Sequence, residues 1–407
     1  MILLAAAWFE MALPAVVEGF FAFWFGAAVG SFVNVLAYRI PEGLSVIRPP
    51  SRCPKCGRLL TARENLPVIG WLLLRGKCRG CSQPISIQYP LVELAVGIVT
   101  VWLYVMLYHV EPGGWWAGGT SRWWRAAGLT GSLPAAAGLV VLIGGMAAVA
   151  LCDAARYLVP MSIVRWVAGV GLASWVVQSS FSTRPASLWP PIPAVAGTWQ
   201  AVTIGASIGL LLANVMLWKG WIRRSFADYE QFVAEGETLG DYPHARREMW
   251  PELAFIGVIA LGAVAGWLSR GTLGAPLPNA ALEVLVAALA GYLCGGAIVW
   301  LVRVAGTLAF GREAMGLGDV HILAAAGAVL GWRDPLVAFL VAPFPALAWT
   351  VAQRLIRAPS ARRELPFGPY LVIGLAVVLL LRPALVDLAQ LLQWIPADSA
   401  ATVRAYE

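Results

Sequence analysis

What most constrains this chain is a succession of long apolar runs separated by short polar stretches. They are read at Leu13 to Ala37, Pro90 to Val110, Leu133 to Leu151, Met161 to Ser179, Trp199 to Trp218, Glu252 to Leu268, Ala281 to Val304, Asp319 to Trp332, Pro335 to Val351 and Pro366 to Gln390. Hydrocarbon offers no water to a bare peptide group, so a run of this length must bond its own backbone as a helix. At 407 residues, 59% hydrophobic and 13% charged, the chain is too apolar for a soluble globule, whose charged fraction is about a quarter. The expected fold is an all-α polytopic membrane protein with about eight to ten transmembrane helices, of which Asp319 to Trp332 is short enough to be a half-helix.

Loop charge predicts orientation, because basic residues beside short loops stay in the cytoplasm. Tyr38 to Tyr89 carries nine basic residues against two acidic ones, Glu42 and Glu64, and is therefore expected to be cytoplasmic. Alternating crossings from there puts Asp153 at the inner end of its run and Asp319 at the inner start of its own. The net charge of +7 follows from this topology, and no nucleic-acid partner is expected because no aromatic pattern accompanies the basic residues.

An ionisable residue inside or at the edge of an apolar run is a functional hypothesis by default. Asp153 stands in Cys152-Asp153-Ala154-Ala155-Arg156, and Asp319 closes Gly316-Leu317-Gly318-Asp319. Two carboxylates at one membrane depth suggest an aspartic protease dyad, in which like charges divide one proton between an acid and a base. Gly316 and Gly318 are expected to let the backbone beside Asp319 turn sharply and approach another helix or a substrate. Taken alone, Asp153 reads more readily as a helix-end residue paired with Arg156, a preference that the paired context reverses, and His321 reads as a packing residue.

Cys53-Pro54-Lys55-Cys56 and Cys78-Arg79-Gly80-Cys81 form two Cys-x-x-Cys knuckles at the spacing of a four-thiolate zinc ribbon. Gly57 and Gly80 are expected to ease the two turns. A disulfide or redox pair is the competing reading, but a cytoplasmic loop is reducing. Four cysteine ligands leave no open position for water, so the zinc would be structural. Cys152 and Cys294 are expected to pack within spans.

Several of these segments together resemble the type IV prepilin peptidase family. The N-terminal part does so through Gly30-Ser31-Phe32-Val33-Asn34-Val35, Tyr38-Arg39-Ile40-Pro41, the two knuckles and Tyr89-Pro90-Leu91-Val92-Glu93. The remainder does so through Asp153 with Pro160, Gly311 to Asp319, and Pro366-Phe367-Gly368-Pro369-Tyr370. The resemblance implies a hydrolase of the bacterial cytoplasmic (inner) membrane, with Asp153 and Asp319 catalytic at the cytoplasmic face. Its substrates would be type IV prepilins or type II secretion pseudopilins, whose basic leaders it removes. It also implies N-methylation of the new N-terminus with S-adenosylmethionine, besides zinc in the cysteine loop.

Members of that family place two spans between the segments bearing the aspartates, whereas four are read here. The expected organisation is therefore an N-terminal domain over 13–110 with its zinc loop at 38–89, a peptidase domain over 133–196 and 277–393, and an inserted two-span segment over 197–276. The insert's inner loop, 219–251, carries Asp228, Glu230, Glu235, Glu237, Asp241 and Glu248, which could attract a basic leader. Two other readings are a presenilin-like aspartic protease, which Pro345-Ala346-Leu347 resembles, and an ion-coupled transporter using the same acids.

Gly205-Ala206-Ser207-Ile208-Gly209 matches a serine-nucleophile pattern but lies within an apolar run, so it is read as small-residue helix packing. Gly26 to Gly30, Gly291 to Gly295 and Gly327 to Gly331 have the same spacing and the same reading. Three histidines and no His-Glu-x-x-His give metalloprotease chemistry little support.

Overall fold

The computed structural model describes residues 2–110, 120–181, 192–228, 242–356 and 365–391. Of the acids in the 219–251 loop, Glu230, Glu235, Glu237 and Asp241 lie outside the described residues. Fourteen helices are described: α1 Ile2–Arg39, α2 Ile69–Leu73, α3 Gln88–Tyr108, α4 Thr120–Gly131, α5 Leu133–Arg156, α6 Met161–Phe181 and α7 Gly197–Trp218, then α8 Ala245–Leu268, α9 Arg270–Leu273, α10 Ala280–Phe310, α11 Leu317–Leu330, α12 Arg333–Val341, α13 Pro343–Leu355 and α14 Gly368–Leu391. Among the described residues, eight stretches are long and apolar enough to cross a membrane, with Arg333–Leu355 counted as one, which falls within the expected eight to ten. Leu317–Leu330 and Gly368–Leu381 are shorter apolar helices.

The run that starts at Asp319 is the short one. Its helix has 14 residues, about 21 Å at 1.5 Å each, against an apolar thickness of about 30 Å. The run Pro335 to Val351 is two helices meeting at Ala342, because Pro343 has no N–H to continue the first.

The chain divides into two compact units, residues 1–163 with 376–407, and residues 164–375. In the first, α1 and α3 pack tightly. A Cβ on Gly30 would meet the Glu93 Cα at 2.7 Å, and one on Gly26 would meet the Thr100 hydroxyl at 2.4 Å. Asn34 donates its side-chain amide to the Tyr89 carbonyl at 3.2 Å across the same seam. The Gly30–Val35 and Tyr89–Glu93 segments are thus two halves of one helix contact. The Cys152 thiol donates to the Ala37 carbonyl at 3.6 Å, which joins α5 to α1.

In the second unit α11 is the enclosed element. Every residue from Ile322 to Leu330 is buried, as expected of a helix that is apolar all round. α10 lies against it so closely that a Cβ on Gly295 would meet the Leu323 carbonyl oxygen at 2.2 Å. On another side, Trp175 of α6 donates to the Val329 carbonyl at 2.9 Å. α7 and α8 form a similar pair, in which a Cβ on Gly205 would meet the Gly262 carbonyl oxygen at 2.2 Å. The small-residue reading of these segments therefore holds, and Ser207 spends its hydroxyl on the Thr203 carbonyl within its own helix at 2.8 Å.

Candidate active site and metal centre

Asp153 occupies the last turn of α5 and is buried, 7% exposed. The helix ends four residues on, where Tyr157 adopts a left-handed conformation (φ 53°) and donates its N–H to the Asp153 carbonyl at 2.9 Å. Arg156, three residues on, is ion-paired with Glu42 at 2.6 Å.

Asp319 occupies the first turn of α11 and is 6% exposed. Its N–H bonds the Gly316 carbonyl at 3.2 Å, which closes the turn that starts the helix. Gly316 has φ −67° and ψ 142°, a conformation open to any residue, so the sharp turn expected there does not itself demand glycine. A Cβ at 316 would stand 3.6 Å from an Asp319 carboxylate oxygen, an ordinary contact, so glycine keeps the space beside the carboxylate free of any larger side chain. The free N–H groups of a helix's first turn favour negative charge, whereas the last turn presents carbonyls. The two aspartates therefore meet opposite electrostatic surroundings. They belong to different units, Asp153 to the first and Asp319 to the second.

The approach to Asp319 is built around a buried cation that sequence reasoning did not single out. Arg303 of α10, 1% exposed, is bound by Glu252 of α8, 4% exposed, through Nε at 3.0 Å and Nη2 at 2.8 Å. Trp300 donates to the same carboxylate at 2.8 Å. Arg303 Nη1 faces the other way, to the Glu313 carboxylate and the Met315 carbonyl. Both acids and the arginine interrupt apolar surroundings, which is the signal that could have found them.

The four cysteines converge. All four sulfurs lie within 4.8 Å of one another, with Cys53 and Cys81 at 3.8 Å and Cys56 and Cys78 at 3.9 Å. Four Zn–S bonds of about 2.3 Å in a tetrahedron require sulfurs about 3.8 Å apart, so the donor set fits zinc. The two knuckles share one design. The Cys53 N–H bonds the Arg58 carbonyl at 2.9 Å, and the Cys78 N–H bonds the Gln83 carbonyl at 2.8 Å. In each, the residue after the second cysteine is left-handed, Gly57 at φ 71° and Ser82 at φ 56°. Gly80 is therefore not the second turn residue; a Cβ there would stand 3.0 Å from the Arg58 side chain and 3.5 Å from the Cys56 sulfur.

The thiols compete for protons. Cys53 is brought down to about 6, first by the N–H of Cys56 and then by that of Lys55. Cys81 accepts the N–H of Gln83, but burial and its three neighbours outweigh it and push the thiol up to about 11. A divalent cation would remove the conflict by binding all four as thiolates. The loop is braced by Glu64, which accepts the Thr61 N–H at 2.9 Å and both bonds from Arg58, at 3.0 and 3.1 Å. It is tied to α3 by Glu93, which accepts the Val68 N–H at 2.6 Å.

Two family models match the chain. Residues 24–107 match the bacterial peptidase A24 N-terminal domain, and residues 246–351 match the type IV leader peptidase family. The four cysteines fall in the first interval and Asp319 in the second; Asp153 falls in neither. The second interval begins inside the 197–276 segment set apart above. Among curated proteins, the chain is 32% identical over 203 residues to a prepilin leader peptidase/N-methyltransferase of Myxococcus xanthus, a match spanning about half of each chain (49% and 48%). It is 24% identical over 382 residues to that of Aeromonas hydrophila, covering 88% of this chain and 89% of the relative. A Burkholderia pseudomallei protein of the same name is 29% identical over 304 residues, 66% and 82% of the two chains. No solved structure matches.

Proposed function

The chain belongs to the type IV prepilin leader peptidase/N-methyltransferase family, and from that premise we propose that it cleaves leader peptides from type IV prepilins or type II secretion pseudopilins, with Asp153 and Asp319 as the catalytic pair. The observation that carries the reading is Asp319 itself, a buried carboxylate in the first turn of an enclosed short helix, inside the interval matched to the leader peptidase family. Matches at both ends of the chain favour this reading over an ion-coupled transporter or a presenilin-like protease.

In the proposed reaction, Asp319 acts as the general base and Asp153 as the general acid. Asp319 takes a proton from water as the water oxygen bonds to the scissile carbonyl carbon. Asp153 gives a proton to the carbonyl oxygen. Asp319 then returns its proton to the amide nitrogen while Asp153 takes one back from a hydroxyl of the tetrahedral intermediate, so the C–N bond breaks, the leader leaves with a new carboxyl end, and both carboxyl groups regain their starting states. No covalent intermediate forms on the chain.

Cys53, Cys56, Cys78 and Cys81 would hold zinc as a closed structural site that shapes the 38–89 loop. Zinc supplies no chemistry to the peptide step. The reading extends to N-methylation of the new N-terminus with S-adenosylmethionine as donor. It also keeps the cytoplasmic face of the bacterial inner membrane as the working side, since the basic loop and a basic leader obey the same charge rule. The division into 13–110, 133–196 with 277–393, and 197–276 remains part of the proposal. It has to accommodate Glu252, which lies in the segment set apart and binds Arg303 of the peptidase part.

Membranes containing the chain, incubated with a panel of prepilin and pseudopilin precursors, test the proposal by mass spectrometry of the products. A product shortened by its basic leader is expected, gaining one methyl group when S-adenosylmethionine is added. A chain that leaves every precursor intact would contradict it.

A further inference from the structure

We infer that Arg303 is a positioning residue for Asp319: it holds the Gly311–Gly316 approach, and through it the carboxylate, in place from a fixed point in the protein interior. The inference rests on the proposed role of Asp319 and adds to it a group that does not touch the reacting atoms.

The segment between α10 and α11 has no secondary structure of its own to fix it. It is fixed instead from α10. Gly311 ends that helix in a left-handed conformation (φ 72°), with its N–H on the Thr307 carbonyl at 2.9 Å. The Thr307 hydroxyl accepts the Ala314 N–H at 3.1 Å. One turn earlier on the same helix, Arg303 donates to the Glu313 carboxylate and to the Met315 carbonyl, and Met315 directly precedes the Gly316 whose carbonyl opens the Asp319 turn. Two residues of α10 thus grip three of the segment's residues.

Arg303 can do this because it is itself immobile. Glu252 takes Nε and Nη2 in a two-pronged bond and is steadied by Trp300, while the Phe226 ring lies 5.3 Å from the guanidinium carbon. A planar fork serving two carboxylates and a carbonyl is a task for arginine, and lysine's single ammonium cannot meet all three directions. A cation needed only to neutralise the two acids would not have to reach a backbone carbonyl. Among the described residues, the second oxygen of Glu313 is buried without a hydrogen-bond partner, and the side-chain partner of its carboxylate is Arg303.

The test is Arg303→Lys in the full chain, because it keeps the buried positive charge and so separates charge from geometry. Two readouts are used. The first is leader removal from a prepilin precursor, for which kcat should fall about tenfold to 100-fold while KM stays within about threefold. The second needs no activity: the pH dependence of Asp319 labelling by a membrane-permeant carbodiimide, located by mass spectrometry. Its midpoint should move at Asp319 and stay in place at Asp153. If Arg303→Lys does not accumulate in membranes, Glu313→Gln takes its place, since it loosens only the half of the grip that faces the segment. A wild-type chain that cuts no precursor would reject the proposed function, and the labelling curves would still decide the positioning role. Wild-type kcat, or an Asp319 labelling curve superimposable on the wild type, would overturn it.

Discussion

Gly291 and Gly327 press backbone against backbone: a Cβ on either would come within 2.0 Å of the other's carbonyl oxygen. The contact seats α11, whose first turn carries Asp319, on α10, which carries Arg303. Side-chain volume at this seam is therefore a direct control on where the carboxylate stands.

Gly327→Leu should break that seat. No flexible side chain is available to move aside, so the two helices must part, at more than about 3 kcal/mol, the upper end for overpacked cores. Less protein should survive in the membrane, and what remains should lose leader removal. Normal abundance with normal cleavage would mean that the helices are not held this closely.

The backbone conformation at Gly316 does not demand glycine. Gly316→Ala adds a Cβ at an ordinary 3.6 Å from the Asp319 carboxylate, and activity should stay within about tenfold of wild type. Gly318→Leu places bulk beside the carboxylate and should abolish cleavage while the protein remains inserted. Quantitative cleavage with membrane abundance measured in parallel checks both. Full activity in Gly318→Leu would contradict close approach at this turn.

The cysteine cluster should bind about one zinc per chain, and Cys53→Ser or Cys81→Ser should bring this below about a tenth. Cobalt exchanged into the site should give the absorption of a tetrahedral four-thiolate centre. A disulfide between any two of these cysteines in freshly isolated membranes would contradict the metal reading.

Glu64 makes a pH prediction. Its carboxyl is held at about 2, first by the Thr61 N–H and then by Arg58, below the ordinary glutamate value of about 4.3. A depressed acid contributes stability that is present above its unfolded value and lost as pH falls through its folded one. Glu64→Gln should therefore lose zinc to a chelator faster than wild type, by a ratio as large at pH 5 as at pH 7.5. A carboxyl at its ordinary value would still be more than about nine-tenths ionised at pH 5.5, so a ratio that fades by that pH would mean that the carboxyl is raised rather than held down.

Much of this was legible from local pattern. The apolar runs, the paired Cys-x-x-Cys knuckles and the glycines four residues apart each express a short-range rule, and the structure bears them out. What escaped was set by contacts between distant segments. Glu252 and Arg303 stand 51 residues apart, and only folding makes them partners. Glu252 stands at the start of an apolar run in the sequence, where nothing local points to Arg303. The second knuckle's left-handed residue escaped because it is Ser82, where a glycine was the natural guess. Asp319 was visible through its glycines, yet that Gly316 adopts a conformation open to any residue required the backbone angles.

The central claim, that Asp153 and Asp319 together perform the hydrolysis, is tested most directly by leader removal in Asp153→Asn and Asp319→Asn chains at equal membrane abundance. Each single variant should lose at least about 1,000-fold in kcat, and the double variant should be no slower than either, since the two act as one unit. Cleavage within about tenfold of wild type in either single variant would place the chemistry elsewhere in the chain.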